Sequence, residues 1–384
     1  MHNTTTSALG DRRVTALPST FRTPSRARAM SSATLAAAWG LRGLTAMRAS
    51  TTAARAGKAG GLVAVVYVSE GKTEKIVDTL ESTAQEACES HGAKVVNVFR
   101  DVEYNRTGFT LGMSVPSSSS SPSDGNEPAV VEPLRRVALA LTERAMDLVD
   151  LRAHAATHPR CGVVDHISCH AVGDAPESIA TTLARGLGAH IGSTLGVPVL
   201  LYGDASPARA KLADLRRKLG YFRETGVGAG AWAGAHVVDG GRVDADFGPA
   251  DIPPERGVVM LGATPWVCNY NVPVVVAGKA PPPGTDPIVA ARRLARAVSE
   301  RGGGLRSVQA MALPHGEDQA GAAVMEIACN LLDADAVGPE AVQAEVERLC
   351  GAGAGGGIGE GWDFDVREGY VTNLTPEDIL HVLK

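Results

Sequence analysis

Hydrophobic positions recur along this chain with two periods. Residues 62–68 read LVAVVYV, an unbroken apolar run of buried-strand length. From residue 73 to 91, Ile76, Val77, Leu80, Ala84, Ala87 and Cys88 recur at helical steps, which predicts a helix stopped by Gly92. Residues 95–99 are the next predicted strand, closing a β-α-β unit, and 107–115 alternate as another. A helix is predicted over 130–149 from the spacing of Val130, Val131, Leu134, Val137, Ala138, Leu141, Ala145, Leu148 and Val149. A strand over 163–170 follows, then a helix over 176–195 with Asp174 and Glu177 at its opening, a strand over 198–202 and a helix over 208–219. Strands are expected at 258–263, 266–276, 307–313 and 324–331, and helices from Pro287 to the glycines at 302–304 and over 339–350. Thr375-Pro376-Glu377-Asp378 opens the last helix as a capping box with aspartate in place of Glu or Gln.

Serine-rich residues 116–128, glycine-rich 226–241, proline- and glycine-rich 280–287 and the glycines of 352–357 punctuate this pattern as loops or linkers. No repeat of 20–50 residues is found. The pattern predicts an α/β (α+β) fold of two subdomains, 61–263 and 264–384, each a mixed β-sheet with helices mainly on one face and a ligand site between them.

Charge is unevenly placed. Residues 1–60 carry eight arginines and Lys58 against Asp11 alone, about +8, so with a total of −5 the remainder carries about −13. That body is not a nucleic-acid binder by bulk electrostatics. The basic, Ser/Thr/Ala-rich leader has no long apolar run: it fits an organellar transit peptide, mitochondrial or chloroplast, and neither a secretory signal nor a membrane anchor. If it is not a transit segment, the protein is cytoplasmic. The six cysteines have no C-x-x-C or secreted-domain spacing and read as reduced core thiols, Cys161 included.

The candidate chemistry centres on residues 157–166. Pro159 fixes its own φ and pushes His158 out of the helical region. Gly162 permits close backbone approach, and an imidazole held at a strand entrance is a candidate general base. The alternative is a loop histidine satisfied by a neighbouring backbone group. Asp165 and His166 read equally as site residues or as strand residues in a structural hydrogen bond. The turn after the first strand, with Gly71 and a helix N-terminus, is anion-friendly but is no G-x-G-x-x-G or Walker loop. Arg209, Lys211, Arg216, Arg217 and Lys218 form a basic face, solvated or, near a site, suited to a polyanionic tail.

Seven stretches carry a resemblance: Ser69-Glu70-Gly71-Lys72; Asn105-Arg106-Thr107; His158-Pro159-Arg160 with Gly162; the residues 197–203, VPVLLYG; Asp246-Phe247-Gly248-Pro249; Gly262-Ala263; and Asn269-Tyr270-Asn271-Val272. In this order they resemble the formiminotransferase domain of glutamate formimidoyltransferase, the folate enzyme often fused to a cyclodeaminase, over residues 61 to about 332. The likeness is closest to stand-alone, plant-type members. It implies a transferase moving a formimino or formyl group between an N-substituted glutamate and N5 of tetrahydrofolate, the folate being polyglutamylated, with no metal. His158 is implied as the catalytic base, Asp101 or Glu103 as the acidic site residue, and Asp246, Phe247, Gly248, Pro249, Ala250, Asp251, Ile252, Pro253, Pro254, Glu255, Arg256 and Gly257 as the folate-lining piece. Arg106, Arg160 and Arg256 suit substrate carboxylates, which arginine grips with two parallel hydrogen bonds. Related domains dimerise, so a homodimer is compatible; no nucleic acid or membrane is implied. Thr157 stands where the family often has glutamate, and the loop before Asn105 is short. Both features favour the competing expectation of a folate-binding or assembly protein with little or no turnover.

Overall fold

The computed structural model describes residues 59–116, 128–221, 241–277, 286–351 and 362–384, all within one compact unit, Ala53–Lys384. The leader up to residue 58, the expected loops at 117–127, 226–240 and 280–285 and the linker at 352–357 lie outside the described residues.

The first sheet and its cover comprise β1 (Gly60–Val68), α1 (Glu74–His91), β2 (Lys94–Asp101), β3 (Arg106–Val115), α2 (Val131–Leu148), β4 (Val164–Gly173), α3 (Glu177–His190), β5 (Val199–Gly203), α4 (Leu212–Lys218) and β6 (Val259–Ala263). The strand order is β2-β3-β1-β4-β6-β5. β3 lies antiparallel between β1 and β2, so the predicted β-α-β unit is present with a third strand inserted into it. β4 runs antiparallel to β1, whereas β4, β6 and β5 are parallel, which makes the sheet mixed. In this first sheet and its cover, expected and observed elements agree to within a few residues, except that Arg209 sits at φ 49 and α4 opens only at Leu212, and that α3 ends in a π turn, Ile191–Leu195.

The second sheet comprises β7 (Cys268–Ala277), β8 (Val308–Glu317), β9 (Ala323–Leu331), β10 (Asp363–Val366) and β11 (Tyr370–Val371), with α5 (Pro287–Val298) and α6 (Pro339–Gly351), and the C-terminal α7 (Pro376–Leu383) packs on the first sheet. The order of the second sheet is β10-β7-β9-β8, with β11 also on β7, and its pairings are antiparallel. Alternation along β7 and β9 turns Tyr270, Val272, Val274, Met325, Ile327, Cys329 and Leu331 into the core formed with α5 and α6. The intervening Asn269, Asn271, Glu326 and Asn330 therefore take the opposite face.

β1 reads as an unbroken apolar run because both of its faces are covered. Leu62, Ala64, Val66 and Val68 share a core with Leu80 of α1, Leu134 and Leu141 of α2 and Leu187 of α3. Val63 and Val65 meet Ile379 and Leu383 of α7 on the other side. That last helix is capped as its sequence predicts: Thr375 Oγ1 accepts from the Asp378 N–H at 3.2 Å and donates to its carboxylate at 2.8 Å. Among the described residues no helix is long and apolar enough to cross a membrane.

Candidate active site

Two of the short motifs lock onto each other. Glu70 Oε1 accepts from the backbone N–H groups of Lys72 and Thr73, each at 2.8 Å. Asn105 Oδ1 accepts from Gly71 N at 2.8 Å and Lys72 N at 3.0 Å, and Thr107 Oγ1 donates to Glu70 O at 2.6 Å. The backbone N–H groups of Gly71, Lys72 and Thr73, in the turn just before α1, are thus taken by the protein's own groups. A Cβ at Gly71 would stand 2.5 Å from Asp101 O and 2.6 Å from Arg106 N, so only glycine lets the two turns meet. Their junction fixes Tyr104 and Arg106, the residues that flank Asn105.

The loop carrying His158 is laced to residues 256–258. Val163 N donates to Arg256 O and Val258 N to Cys161 O, each at 2.9 Å, and Gly162 bridges Gly257. A Cβ at Gly162 would lie 2.2 Å from Val258 O. Gly162→Ala is therefore expected to spread the loop and cost about 1–3 kcal/mol, read as a lower denaturant midpoint at unchanged slope.

His158 Nδ1 lies 2.7 Å from the Pro159 carbonyl oxygen. A carbonyl only accepts, so Nδ1 carries the hydrogen and Nε2 the lone pair of the neutral ring. Burial, then the positive charges of Arg106 and Arg216, hold the imidazole well below its ordinary pKa, with Asp165 only partly opposing them. At neutral pH the ring is a base and not an acid. It stands edge-on to Tyr104 and Tyr221, with centroids 5.2 and 6.2 Å away.

Behind it lies a cationic cluster. The fully buried Asp165 accepts from Arg106 at 3.0 Å and Arg216 at 3.1 Å on Oδ2, and from Cys161 N at 2.7 Å on Oδ1. Burial pushes this carboxyl up, but the charges of Arg106 and Arg216 hold it well below the carboxylate range. Both guanidinium groups also reach His166 Nδ1, at 3.2 and 3.1 Å. Because arginine only donates, that nitrogen is an acceptor, and burial keeps His166 neutral, down to about 3. Two guanidiniums face one carboxylate here, and the buried Arg216 Nε has no hydrogen-bond partner among the described residues.

A second polar cluster joins the two sheets. His315 Nε2 of β8 meets Asp101 Oδ2 at 3.0 Å, and Asp101 Oδ1 accepts from Tyr104 N at 2.8 Å. Glu326, fully buried on β9, accepts from the hydroxyls of Tyr104 and Tyr370, both at 2.5 Å, and from Asn271 Nδ2 at 2.9 Å. Tyr67 donates to Asn269 Oδ1 at 3.3 Å, and Asn269 in turn to Asn330 at 2.7 Å. The two asparagines of the Asn269-Tyr270-Asn271 motif thus belong to the polar face turned toward the first sheet. The described residues offer Asp101, His315 and Glu326 as a group close enough for a cation, but these three are engaged with one another and with tyrosines.

Of the expected site residues, His158, Asp101, Arg106 and Asp165 come together. Glu103 is exposed, its carbonyl accepting from Thr157 Oγ1 at 3.4 Å. Arg160 is buried and donates to the His154 carbonyl. In the 246–257 segment Asp246 accepts from Leu201 N at 2.7 Å, Phe247 packs on the helix-side core and Arg256 donates to Leu195 O at 2.8 Å. Its end, Arg256 and Gly257, lies against the His158 loop. Burial pushes the Cys161 thiol well up, so it is no nucleophile, and all six cysteines are free. Sequence reasoning gave no role to Tyr104, His315 or Glu326 and read Arg216 only as one residue of a basic face. Glu326 alone had a signal, an acid inside an apolar strand pattern.

Residues 61–264 match the formiminotransferase domain, N-terminal subdomain. A formiminotransferase cyclodeaminase-like protein of Arabidopsis thaliana is 38% identical over 315 residues, covering 82% of this chain and 93% of that protein. The glutamate formimidoyltransferase of Thermoplasma acidophilum is 28% identical over 46% of this chain and 52% of its own length. The formimidoyltransferase-cyclodeaminase of Rattus norvegicus is 25% identical over 53% of this chain and 32% of its own. The match therefore spans nearly all of the plant relative, about half of the second and about a third of the third. With its first sheet matched throughout and a plant relative aligned across most of the chain, the protein belongs to the formiminotransferase family, a family of transferases.

Proposed function

We propose that this protein moves a formimino group from the nitrogen of an N-substituted glutamate to N5 of tetrahydrofolate, with His158 as the base. The observation that carries this reading is the His158 ring itself: its Nδ1–H is tied to Pro159 O, and its Nε2 lone pair has no protein partner among the described residues. N5 attacks the formimino carbon, Nε2 takes the N5 proton, and the C–N bond to glutamate breaks as that nitrogen gains a proton. Arg106 and Arg216, one positive charge in excess of Asp165, suit the carboxylates of the donor or of the glutamyl part of the folate. The family resemblance adds Arg160 to that set, residues 246–257 as the folate-lining segment, and Asp101 or Glu103 as the acidic partner. We read the folate as polyglutamylated, the protein as a homodimer, and the basic leader as addressing a mitochondrion or chloroplast; the chemistry requires no metal.

A second reading, a folate-binding or assembly protein with little turnover, is favoured by Thr157, whose hydroxyl is engaged by the Glu103 carbonyl where the family often has a carboxylate. Purified protein given tetrahydrofolate and N-formiminoglutamate is expected to release glutamate. Tight folate binding without release would select the second reading, and release only from N-formylglutamate would make the donor a formyl one.

A further inference from the structure

We propose that His315, held by Asp101, is a second proton-handling residue of this site, delivering to the departing glutamate nitrogen the proton that bond cleavage requires while His158 takes the proton from N5. The inference rests on the transfer reading above.

Its basis is the arrangement around Tyr104. This ring stands edge-on to both imidazoles, 5.2 Å from His158 and 4.7 Å from His315. Each imidazole has one nitrogen tied to the protein and one without a partner among the described residues. In His158 the tied nitrogen is Nδ1, on a carbonyl, so the open Nε2 carries a lone pair. In His315 it is Nε2, on the Asp101 carboxylate, and the side chain is 14% exposed. The surroundings sort the two rings further. Around His315 stand Asp101 from the end of β2, Glu326 from β9 and Glu103 from the β2–β3 turn, its carboxyl carbon 3.2 Å from where a Cβ on Gly316 would lie. Burial pulls His315 down, yet the Asp101 hydrogen bond and these carboxylates carry it up to about 9, so it is an imidazolium at neutral pH and its open Nδ1 bears a proton. His158 faces Arg106 and Arg216 and stays neutral. Two titratable groups pushed in opposite directions across one aromatic ring divide the acid and base roles between them.

The protons balance. The N5–C bond forms as N5 loses its proton to His158 Nε2, and the C–N bond to glutamate breaks as that nitrogen receives the His315 Nδ1 proton. The resulting His158 imidazolium and neutral His315 exchange one proton through water, so a full turnover releases and consumes none.

The test is the pH dependence of kcat/KM with two donors. One is N-formiminoglutamate; the other is an N-aryl formamidine, whose leaving aniline nitrogen needs little protonation. Wild-type protein should lose activity on the natural donor as pH rises through about 9. His315→Asn should lower the rate roughly a hundredfold and abolish that alkaline limb, and the aryl donor should recover most of the loss. Asp101→Asn should move the limb to lower pH, since it removes a carboxylate that raises His315. A His315→Asn protein with the wild-type profile, or one slowed equally with both donors, would overturn the inference while leaving the transfer reading intact. A wild-type protein without turnover would remove that reading and the inference with it. Thermal unfolding of each variant separates loss of fold from loss of chemistry, and Asp101→Asn keeps the test decisive if His315→Asn does not fold.

Discussion

His158→Ala should reduce kcat by about 10²–10⁴-fold and leave folate affinity little changed. The asymmetry follows from where the ring's two nitrogens go. Nδ1 is committed to the Pro159 carbonyl at 2.7 Å, and among the described residues no partner engages Nε2, so truncation removes a proton acceptor together with the ring's edge contacts to Tyr104 and Tyr221. The loop itself is held by Cys161, Gly162 and Val163 through their backbone bonds to residues 256–258, none of which involves the imidazole. Steady-state rates with N-formiminoglutamate, together with a fluorescence titration with tetrahydrofolate, check both halves. Equal losses of rate and affinity would make His158 a ligand-binding group instead of a base. Because burial and the two guanidiniums depress its pKa, the acid limb of kcat/KM should lie below the ordinary histidine range, with no loss of base function between pH 6.5 and 8.

That His158 is poised as a base depends on residues far from it in sequence, and these were legible to different degrees. β1 announced itself because a strand covered on both faces has no polar side, and α1 because Leu80, Ala84 and Cys88 all point to one core. The short motifs were legible as motifs but not as devices. Nothing local in Ser69-Glu70-Gly71-Lys72 says that Glu70 and Asn105 will take up the backbone N–H groups of the turn before α1. The insertion of β3 between β1 and β2 was equally hidden, because apolar alternation fixes a strand's faces and not its neighbours. Arg216 shared its helix with exposed basic residues such as Arg217, and only the fold shows it reaching Asp165 and lying 4.5 Å over the Tyr221 ring. His315 had no signal either. Its meaning comes from Asp101, 214 positions earlier, across the space between the two sheets.

Asp165→Ala should destabilise the protein by about 3–5 kcal/mol, the cost of leaving buried charge unpaired. The side chain is wholly buried, and its two oxygens hold Arg106, Arg216 and the Cys161 N–H. With those guanidiniums only 11% and 13% exposed, water cannot replace the carboxylate once it is gone. An exposed pair gives the contrast: Arg136 and Glu132 are 61% and 41% exposed, and breaking them should cost at most about 1 kcal/mol. Asp165→Asn separates charge from shape, since it can still accept from Cys161 N but cannot neutralise either arginine. It should recover only a minor part of the loss. The pH dependence has a definite sign. The native pKa of Asp165 is depressed, so its contribution is complete above the unfolded value near 4 and disappears as pH falls through the lower native value. Denaturant unfolding at pH 7 and pH 5 should therefore give the same gap between wild type and Asp165→Ala, and that gap should narrow only in stronger acid. A gap below about 1 kcal/mol at pH 7 would mean that the cluster is far more hydrated than its burial implies. The excess positive charge would then be a weaker anchor for a substrate carboxylate, because the same dryness that makes Asp165 costly to lose is what would make an incoming carboxylate bind well.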